Sequence, residues 1–292
     1  MRRQAPRATR SAQGGVALLL VLWASTLLAI LLGGYALQAR TEGLQARYQF
    51  AQTQAHYAAE AGLMRAVYGL QDPQPGQRWI GDGRIYTFEF AGAKVQVSAI
   101  DEGGKVDINA ATPEVLRNLF AAAGLAPQAA QQLEERILDW RRPGGFSGAT
   151  DGAADVYAAA GRPYGPRHAP FASIEELQLV LGMTPALYRQ LAPVVTIWSG
   201  NATPDPNSAP PLALQSIPGL TPTQIQTLRE ARLKNAGDPS LVLNNGTTHS
   251  IESAATLADG TRAVLRVTLR MRAQQVGTQP YAVLRWREGV AE

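Results

Sequence analysis

The stretch Gly14-Gly15-Val16-Ala17-Leu18-Leu19-Leu20 lies at the start of an uncharged run of 29 residues, Ser11–Ala39. Within this run, the 22 residues Val16–Leu37 would form a helix about 33 Å long, enough to cross a hydrocarbon core of roughly 30 Å. Four arginines and no acidic residue precede it. Because basic flanks stay in the cytoplasm, we expect the N-terminus there and the residues after Arg40 outside, with the chain anchored in the membrane.

Three interpretations fit this segment. A secretory signal peptide would be cut after Leu37-Gln38-Ala39, a plain membrane anchor would not be cut, and a pilin-like leader would end at Gly15, directly before the apolar helix. The third is favoured, because the apolar segment is long for a signal peptide and the helical pattern continues past it. Apolar or small residues recur there at spacings of three and four: Leu44, Tyr48, Ala51, Ala55, Ala59, Leu63, Ala66 and Leu70.

This start, together with Tyr57-Ala58-Ala59-Glu60-Ala61-Gly62-Leu63, resembles the type IV pilin and pseudopilin family. The resemblance implies that a prepilin peptidase cuts after Gly15 and that Val16 becomes the new, methylated N-terminus. It also implies a type IV pilin-like fold, in which a long N-terminal helix packs on an antiparallel sheet.

Leu20 departs from most pilins, which carry Glu at the fifth position after the cleavage site. A carboxylate in the bilayer costs roughly 2.5–3.5 kcal/mol on insertion scales, so it persists only where it is paired or functional. The resemblance implies that this carboxylate pairs with the N-terminal amine of the neighbouring subunit as the filament grows. A subunit with Leu20 is therefore expected to sit first, at the filament tip. In this respect the chain is similar to the K-type minor pseudopilins of type II secretion systems.

The composition fits an exported, folded protein and excludes several function classes. With 292 residues, 46% of them hydrophobic, the chain can bury a core. It has no cysteine, which excludes disulfides and thiolate metal sites. Residues 1–15 hold four of the 27 basic residues, so 23 basic and 23 acidic residues remain, without the basic footprint of a nucleic-acid binder. The three histidines form no metal or catalytic motif, and we expect no enzymatic activity.

The predicted elements follow the order long helix, strands, helical block, strands, which indicates an α+β fold. Arg84–Phe90 and Lys94–Ile100 alternate as a β-hairpin. Asp259-Gly260 predicts a type I′ turn before the alternating strand Thr261–Arg272, and Tyr281–Arg287 predicts the last strand. The predicted divisions are a leader (1–15), a transmembrane and assembly helix (16–38), the first part of a pilin-like head (39–108), a large inserted all-α domain with helical hairpins (109–235) and the C-terminal strands of the head (236–292).

A short motif occurs three times in the helical block. The copies are Gly124-Leu125-Ala126-Pro127, Gly182-Met183-Thr184-Pro185 and Gly219-Leu220-Thr221-Pro222. Glycine in this pattern ends one helix in a left-handed conformation and proline occupies the first turn of the next, so it predicts helical hairpins. Such hairpins can bind DNA phosphates through backbone amides when basic residues follow. No basic residue occurs in the three positions after each proline, so we expect a structural role, with a membrane-anchored DNA receptor as the alternative.

Further motifs resemble the K-type family in the family's order. They are Asp101-Glu102-Gly103-Gly104-Lys105-Val106-Asp107-Ile108-Asn109, Asp139-Trp140-Arg141, Tyr157 and Pro170-Phe171-Ala172-Ser173-Ile174-Glu175-Glu176-Leu177. In the last of these, Ser173 with Glu176 also predicts a capping box.

Some K-type relatives bind calcium near the acidic loop after the Asp-Trp pair, which makes Asp139, Asp151 and Asp155 the candidate ligands in this chain. Calcium takes about six to eight oxygen ligands, several of them carboxylates. The loop Arg141-Arg142-Pro143-Gly144-Gly145 lacks an acid that the family tends to have, and Ala154 stands where Glu is usual. The sequence therefore favours ordinary surface and capping roles for the three acids, with calcium as the alternative. We expect no other cofactor.

The resemblance implies a minor pseudopilin at the tip of the pseudopilus of a type II secretion system, which helps to initiate assembly for the export of folded proteins across the outer membrane. It implies a single-pass protein of the inner membrane of a Gram-negative bacterium, with the C-terminal domain in the periplasm. The partners it implies are prepilin peptidase, I- and J-type minor pseudopilins, pseudopilus subunits and the inner-membrane assembly platform, and no nucleic acid. A minor pilin of a type IV pilus or competence system is a further alternative.

Overall fold

The structure is a computed structural model that describes residues 14–74, 76–143, 152–235, 246–272 and 279–289. Its first helix, α1, is continuous over Gly14–Leu70 and has 57 residues. The chain divides after Gln54 into two compact units. The first unit contains the N-terminal part of α1, and the second contains the C-terminal part of α1 and all later elements.

Short helices and strands follow α1 along the chain. They are β1 (Asp82–Phe90), β2 (Ala93–Asp101), a 3₁₀ turn (Glu102–Gly104), β3 (Val106–Asp107), α2 (Pro113–Ala122), α3 (Pro127–Arg141), α4 (Gly152–Ala159), a 3₁₀ helix (Ile174–Leu179), α5 (Pro185–Leu191), β4 (Val195–Thr196), α6 (Pro211–Leu214), α7 (Pro222–Asn235), β5 (Thr248–Leu257), β6 (Arg262–Met271) and β7 (Tyr281–Gly289).

One five-stranded sheet organises the second unit. Its strand order is β1-β2-β5-β6-β7, and every neighbouring pair is antiparallel. The elements from β3 to α7 come between β2 and β5 in the chain, although β2 and β5 pair directly. The helical block is therefore an insertion in one connection of the sheet. The predicted α+β class, a long N-terminal helix with an antiparallel sheet and further helices, is confirmed. The prediction that the insertion is all-α is wrong, because β4 lies within it and pairs in parallel with β3, a contact between residues distant in the sequence.

Small residues bring the C-terminal part of α1 close to the sheet. Gly62 lies against the side chains of Val95 and Val97 on β2 and of Ser253 on β5, so these side chains mark the sheet face that α1 covers. Four alanines of the helix are fully buried: Ala55, Ala58, Ala59 and Ala66. On β6, Leu265, Val267 and Leu269 are buried, whereas Arg262, Arg266 and Arg270 are exposed, as the alternating pattern predicts.

The type I′ geometry occurs at the turn between β1 and β2 and not at the turn between β5 and β6, where the sequence predicts it. Ala91 and Gly92 both have positive φ, +49° and +77°, and join paired Phe90 and Ala93, which is the geometry of a type I′ turn. At the second turn only Gly260 has positive φ, and the Leu257 amide donates to the Thr261 oxygen at 2.9 Å. The prediction of a type I′ turn at Asp259-Gly260 is wrong, because three residues rather than two form that loop.

Candidate functional site

The N-terminal part of α1 presents an apolar surface. By length and composition, the helix from Val16 onward is long and apolar enough to cross a membrane. Val16 and Leu20 expose 70% and 64% of their surface, which is costly in water and favourable in lipid. The helix passes through Leu37-Gln38-Ala39 without a break, and Gly15 lies in its first turn. These features fit a membrane anchor. Processing at Gly15 and Val16 and the assembly role of Leu20 stay predictions.

The three predicted hairpin turns have the expected backbone. Their glycines are left-handed, with φ of +95°, +91° and +78° at Gly124, Gly182 and Gly219. Thr184 Oγ1 accepts a hydrogen bond from the Leu187 amide at 3.2 Å, and Thr221 Oγ1 accepts one from the Gln224 amide at 3.3 Å. The first turn has Ala126 at this position, so α3 begins without a side-chain cap.

The hairpins contribute to the core of the helical block. Leu133 and Leu191, each six positions after a hairpin proline, are buried in this core with Met183. Arg136, near the second turn, donates from Nη1 to the backbone oxygen of Leu181 at 3.0 Å. The described contacts of the turns are thus internal ones, as a packing role requires.

Residues from three of the family-like motifs meet in the structure. The Phe171 amide donates to Asn109 Oδ1 at 2.7 Å, and Asn109 Nδ2 donates back to the Phe171 oxygen at 3.0 Å. The Trp140 ring stacks on the Phe171 ring with centroids 6.0 Å apart. Arg141 Nη1 donates to the Ile108 oxygen at 2.8 Å. These motifs therefore hold the first strand of the insertion, α3 and the segment before the 3₁₀ helix together.

The predicted capping box at Ser173 and Glu176 is wrong. Ser173 makes no side-chain cap bond, and the segment after it is a 3₁₀ helix. Glu176 instead accepts from Trp140 Nε1 at 2.9 Å and from the Ala172 amide at 2.8 Å, and it pairs with Arg167 at 3.1 Å. A nearly buried carboxylate is better satisfied by these donors than by one helix-terminal amide.

Glu175, the neighbour of Glu176, points the other way and joins the helical block to the sheet. Its Oε1 accepts from Arg285 and Arg287 of β7 at 2.7 and 2.9 Å. Arg270 of β6 also donates to the Trp198 backbone oxygen at 3.0 Å. Burial alone would raise the pKa of the Glu175 carboxyl, but its backbone hydrogen bond and Arg285 hold it below the usual range. Sequence reasoning missed this contact, because no local pattern links residues 110 and 112 positions apart.

The candidate calcium ligands are not assembled by the described residues. Asp139 lies in α3 and Asp155 in α4, whereas Asp151 lies outside the described residues. Asp139 pairs with Arg142 at 3.4 Å on the surface. Among the described residues, no group of three or more His, Cys, Asp or Glu side chains is arranged to hold a metal. Calcium binding by these three acids stays the alternative prediction, beside ordinary surface and capping roles.

His249 is buried where the insertion returns to the sheet, and it exposes only 1% of its surface. It lies opposite Asp101 in the register, and neither ring nitrogen has a hydrogen-bond partner among the described residues. The Asp101 carboxylate accepts hydrogen bonds from the Gly103 and Gly246 amides at 2.8 and 3.0 Å. It therefore links the segment that follows β2 to the segment that precedes β5. Burial lowers the pKa of the His249 imidazole, against the opposing charges of Asp101 and Glu102.

Acid is therefore expected to destabilise the second unit through His249. Since the unfolded chain binds a proton near pH 6.5 and the folded chain binds it only at lower pH, stability is complete above 6.5 and falls as pH drops below it. Between about pH 7.5 and about pH 5.5, the melting temperature of the full chain in detergent should fall a few degrees more for wild type than for His249→Leu. Ile251→Val on the same strand removes no titratable group, so it is the matched control and should keep the wild-type slope. Equal slopes for wild type and His249→Leu would contradict the assignment.

Several known proteins are similar to this chain in sequence or in structure. The family described as type II secretion system (T2SS), protein K, matches residues 93–200, which run from the start of β2 to just after β4 and leave out α6 and α7 of the insertion. The type II secretion system protein K of Klebsiella pneumoniae is 33% identical over 174 residues, covering 54% of this chain and 52% of that protein. The protein of the same name from Pseudomonas aeruginosa is 27% identical over 253 residues, covering 76% and 73%. This chain thus spans about half the length of the Klebsiella relative.

A solved structure shares the fold. The crystal structure of the GspK-GspI-GspJ complex from the enterotoxigenic Escherichia coli type 2 secretion system contains a chain that matches with a TM-score of 0.58 at 16% identity. The match covers 85% of this chain and 100% of that one. The chain is thus similar to protein K of type II secretion systems in the sequence of residues 93–200 and, over most of its length, in its fold.

Proposed function

We propose that this chain is a minor pseudopilin of a type II secretion system that sits at the pseudopilus tip and helps to initiate its assembly. The observation that carries the proposal is the combination of the protein K match at residues 93–200 with Leu20, an apolar residue at the fifth position after Gly15. Prepilin peptidase removes residues 1–15, and Val16 becomes the methylated N-terminus. The mature apolar helix then anchors the subunit in the inner membrane with its N-terminus on the cytoplasmic side.

Leu20 gives this helix an asymmetric role in assembly. A subunit with a carboxylate at this position can pair with the N-terminal amine of the subunit ahead of it, and in lipid that pairing offsets the cost of the charge. Leu20 cannot make this pair, so the subunit does not dock beneath another one, although its own N-terminal amine can still receive the next subunit's carboxylate. The inserted helical block is also large for the shaft of a repeating filament. Both features favour the tip, with the I- and J-type minor pseudopilins as neighbours.

Copurification tests this proposal. The tagged full chain, coexpressed with the pseudopilins of its own secretion system and extracted in mild detergent, should recover the I- and J-type minor pseudopilins. Leu20→Glu should increase its recovery along sheared pseudopili several-fold, because the variant regains the carboxylate that shaft subunits use, whereas the apolar control Leu20→Met should not. Recovery of type IV pilus subunits instead of pseudopilins would assign the chain to a pilus. Equal shaft recovery of all three forms would contradict the role of Leu20.

A further inference from the structure

The sheet face opposite α1 carries a groove of about 250 Å³. In the strand register, Ser98 pairs with Glu252, Glu252 with Arg266 and Arg266 with Arg287, and this row alternates with the residues that face α1. The adjacent row contains Ser250, Thr268 and Arg285. We call this site the arginine groove and define it by Ser98, Ser250, Arg266, Thr268, Arg285 and Arg287.

Positive charge exceeds negative charge in the arginine groove. Arg266 Nε donates to Glu252 Oε2 at 2.7 Å, whereas Arg285 and Arg287 share a single oxygen of Glu175. Three guanidinium groups are thus paired with two carboxylates, and these ion pairs engage one N–H on each guanidinium, a small part of what it can donate. Without its leader the chain has equal numbers of basic and acidic residues. The excess positive charge of the arginine groove is therefore balanced by negative charge elsewhere in the chain.

Two hydroxyl groups of the groove also suit carboxylates. Ser250 Oγ and Thr268 Oγ1 lie 2.9 Å apart and share a hydrogen bond, which leaves one hydroxyl hydrogen to donate to a ligand. Guanidinium and hydroxyl donors together bind carboxylates through charge-assisted hydrogen bonds. The groove is slightly smaller than the roughly 300 Å³ at which pockets for whole small molecules begin, so it fits protein side chains better than a free cofactor.

The spacing of the arginines favours an extended chain. Arg285 and Arg287 are two positions apart on one strand and therefore about 7 Å apart along it. The side chains at alternate positions of an extended peptide have the same spacing. We propose that the arginine groove binds an extended acidic segment of a partner protein, with carboxylates at alternate positions that reach Arg285 on one side and Arg266 and Arg287 on the other. This inference does not depend on a tip location.

A peptide titration tests the proposal on the full chain in detergent micelles. The probe is a fluorescent octapeptide of alternating Glu and Thr, and the control probe has Gln in place of Glu. Fluorescence polarisation should show binding of the Glu peptide alone. Arg287→Gln and Arg266→Gln should each weaken it about tenfold, as expected for the loss of a hydrogen bond to a charged group. Arg262→Gln, on the same face but outside the groove, should remain within about twofold of wild type.

Circular dichroism of each variant establishes that the sheet has folded before its affinity is compared. Arg266 and Arg287 lie in different strands, so a folding defect in one variant would not explain a loss of binding in both. No binding of the Glu peptide, or an equal loss in Arg262→Gln, would overturn the proposal, because the effect would then be absent or due to general charge. Displacement of the peptide by duplex DNA at lower concentration than by unlabelled peptide would also overturn it and would assign the surface to nucleic acid.

Discussion

Replacing Trp140 by alanine is expected to lower the free energy of unfolding of the second unit by about 3–5 kcal/mol. Trp140 exposes only 2% of its surface and contacts the rings of Phe171 and Tyr157, with centroids 6.0 and 6.1 Å away. The substitution leaves a cavity between α3, α4 and the segment before the 3₁₀ helix. It also removes the indole N–H that Glu176 accepts, so a nearly buried carboxylate loses a partner.

Chemical denaturation of the full chain in detergent, followed by far-ultraviolet circular dichroism, measures this effect. The control is Val156→Ala in α4, next to Tyr157, because Val156 is 48% exposed and its truncation should cost less than about 0.5 kcal/mol. A loss below about 1 kcal/mol for Trp140→Ala would show that the aromatic cluster does not hold the insertion together.

Gly62→Val should have the second-largest effect, through the contact between α1 and the sheet. A Cβ at Gly62 would overlap Ser253 Oγ and would lie 2.8 Å from Val95 Cγ1 and 3.0 Å from Val97 Cγ2. Overpacking of this kind costs about 1–3 kcal/mol or more, and valine adds two further methyl groups to the overlap. The same denaturation experiment should show this loss.

Two further variants separate steric overlap from helix propensity. Gly43→Ala in the same helix has nothing within 4 Å of the new Cβ and should be neutral or stabilising. Gly62→Ala combined with Ser253→Gly should recover stability relative to Gly62→Ala alone, because the overlapping hydroxyl is gone and it has no hydrogen-bond partner in the described residues. If the double variant is no more stable than Gly62→Ala, overlap with the Ser253 hydroxyl is not the cause of the lost stability.

Much of the fold follows from local patterns in the sequence. The strand of alternating arginines from Arg262 and the hairpin of β1 and β2 are both visible because one sheet face is buried and the other is not. The left-handed glycines at Gly124, Gly182 and Gly219 follow from their position before a helix-starting proline. Each of these signals is contained within a few residues.

Apart from the turn at Asp259-Gly260, where the loop has three residues rather than two, the errors and omissions concern partners that are distant in the sequence. Ser173 and Glu176 have the spacing of a capping box, but Trp140 supplies Glu176 with a better donor. The contact of Glu175 with β7 and the arginine groove depend on how the insertion lies against the sheet. Such contacts are fixed by the tertiary fold, so a pattern search along the chain cannot find them.

The measurement that tests the central claim most directly is the intact mass and N-terminal sequence of the full chain, produced with and without a prepilin peptidase. A pseudopilin-class subunit should begin at Val16 only when the enzyme is present, and it should retain the apolar part of α1. A product that begins at Arg40 would mean a conventional signal peptide, and a chain that stays uncut in the presence of the enzyme would mean a plain anchor. Either result would contradict assembly at the pseudopilus tip through Leu20.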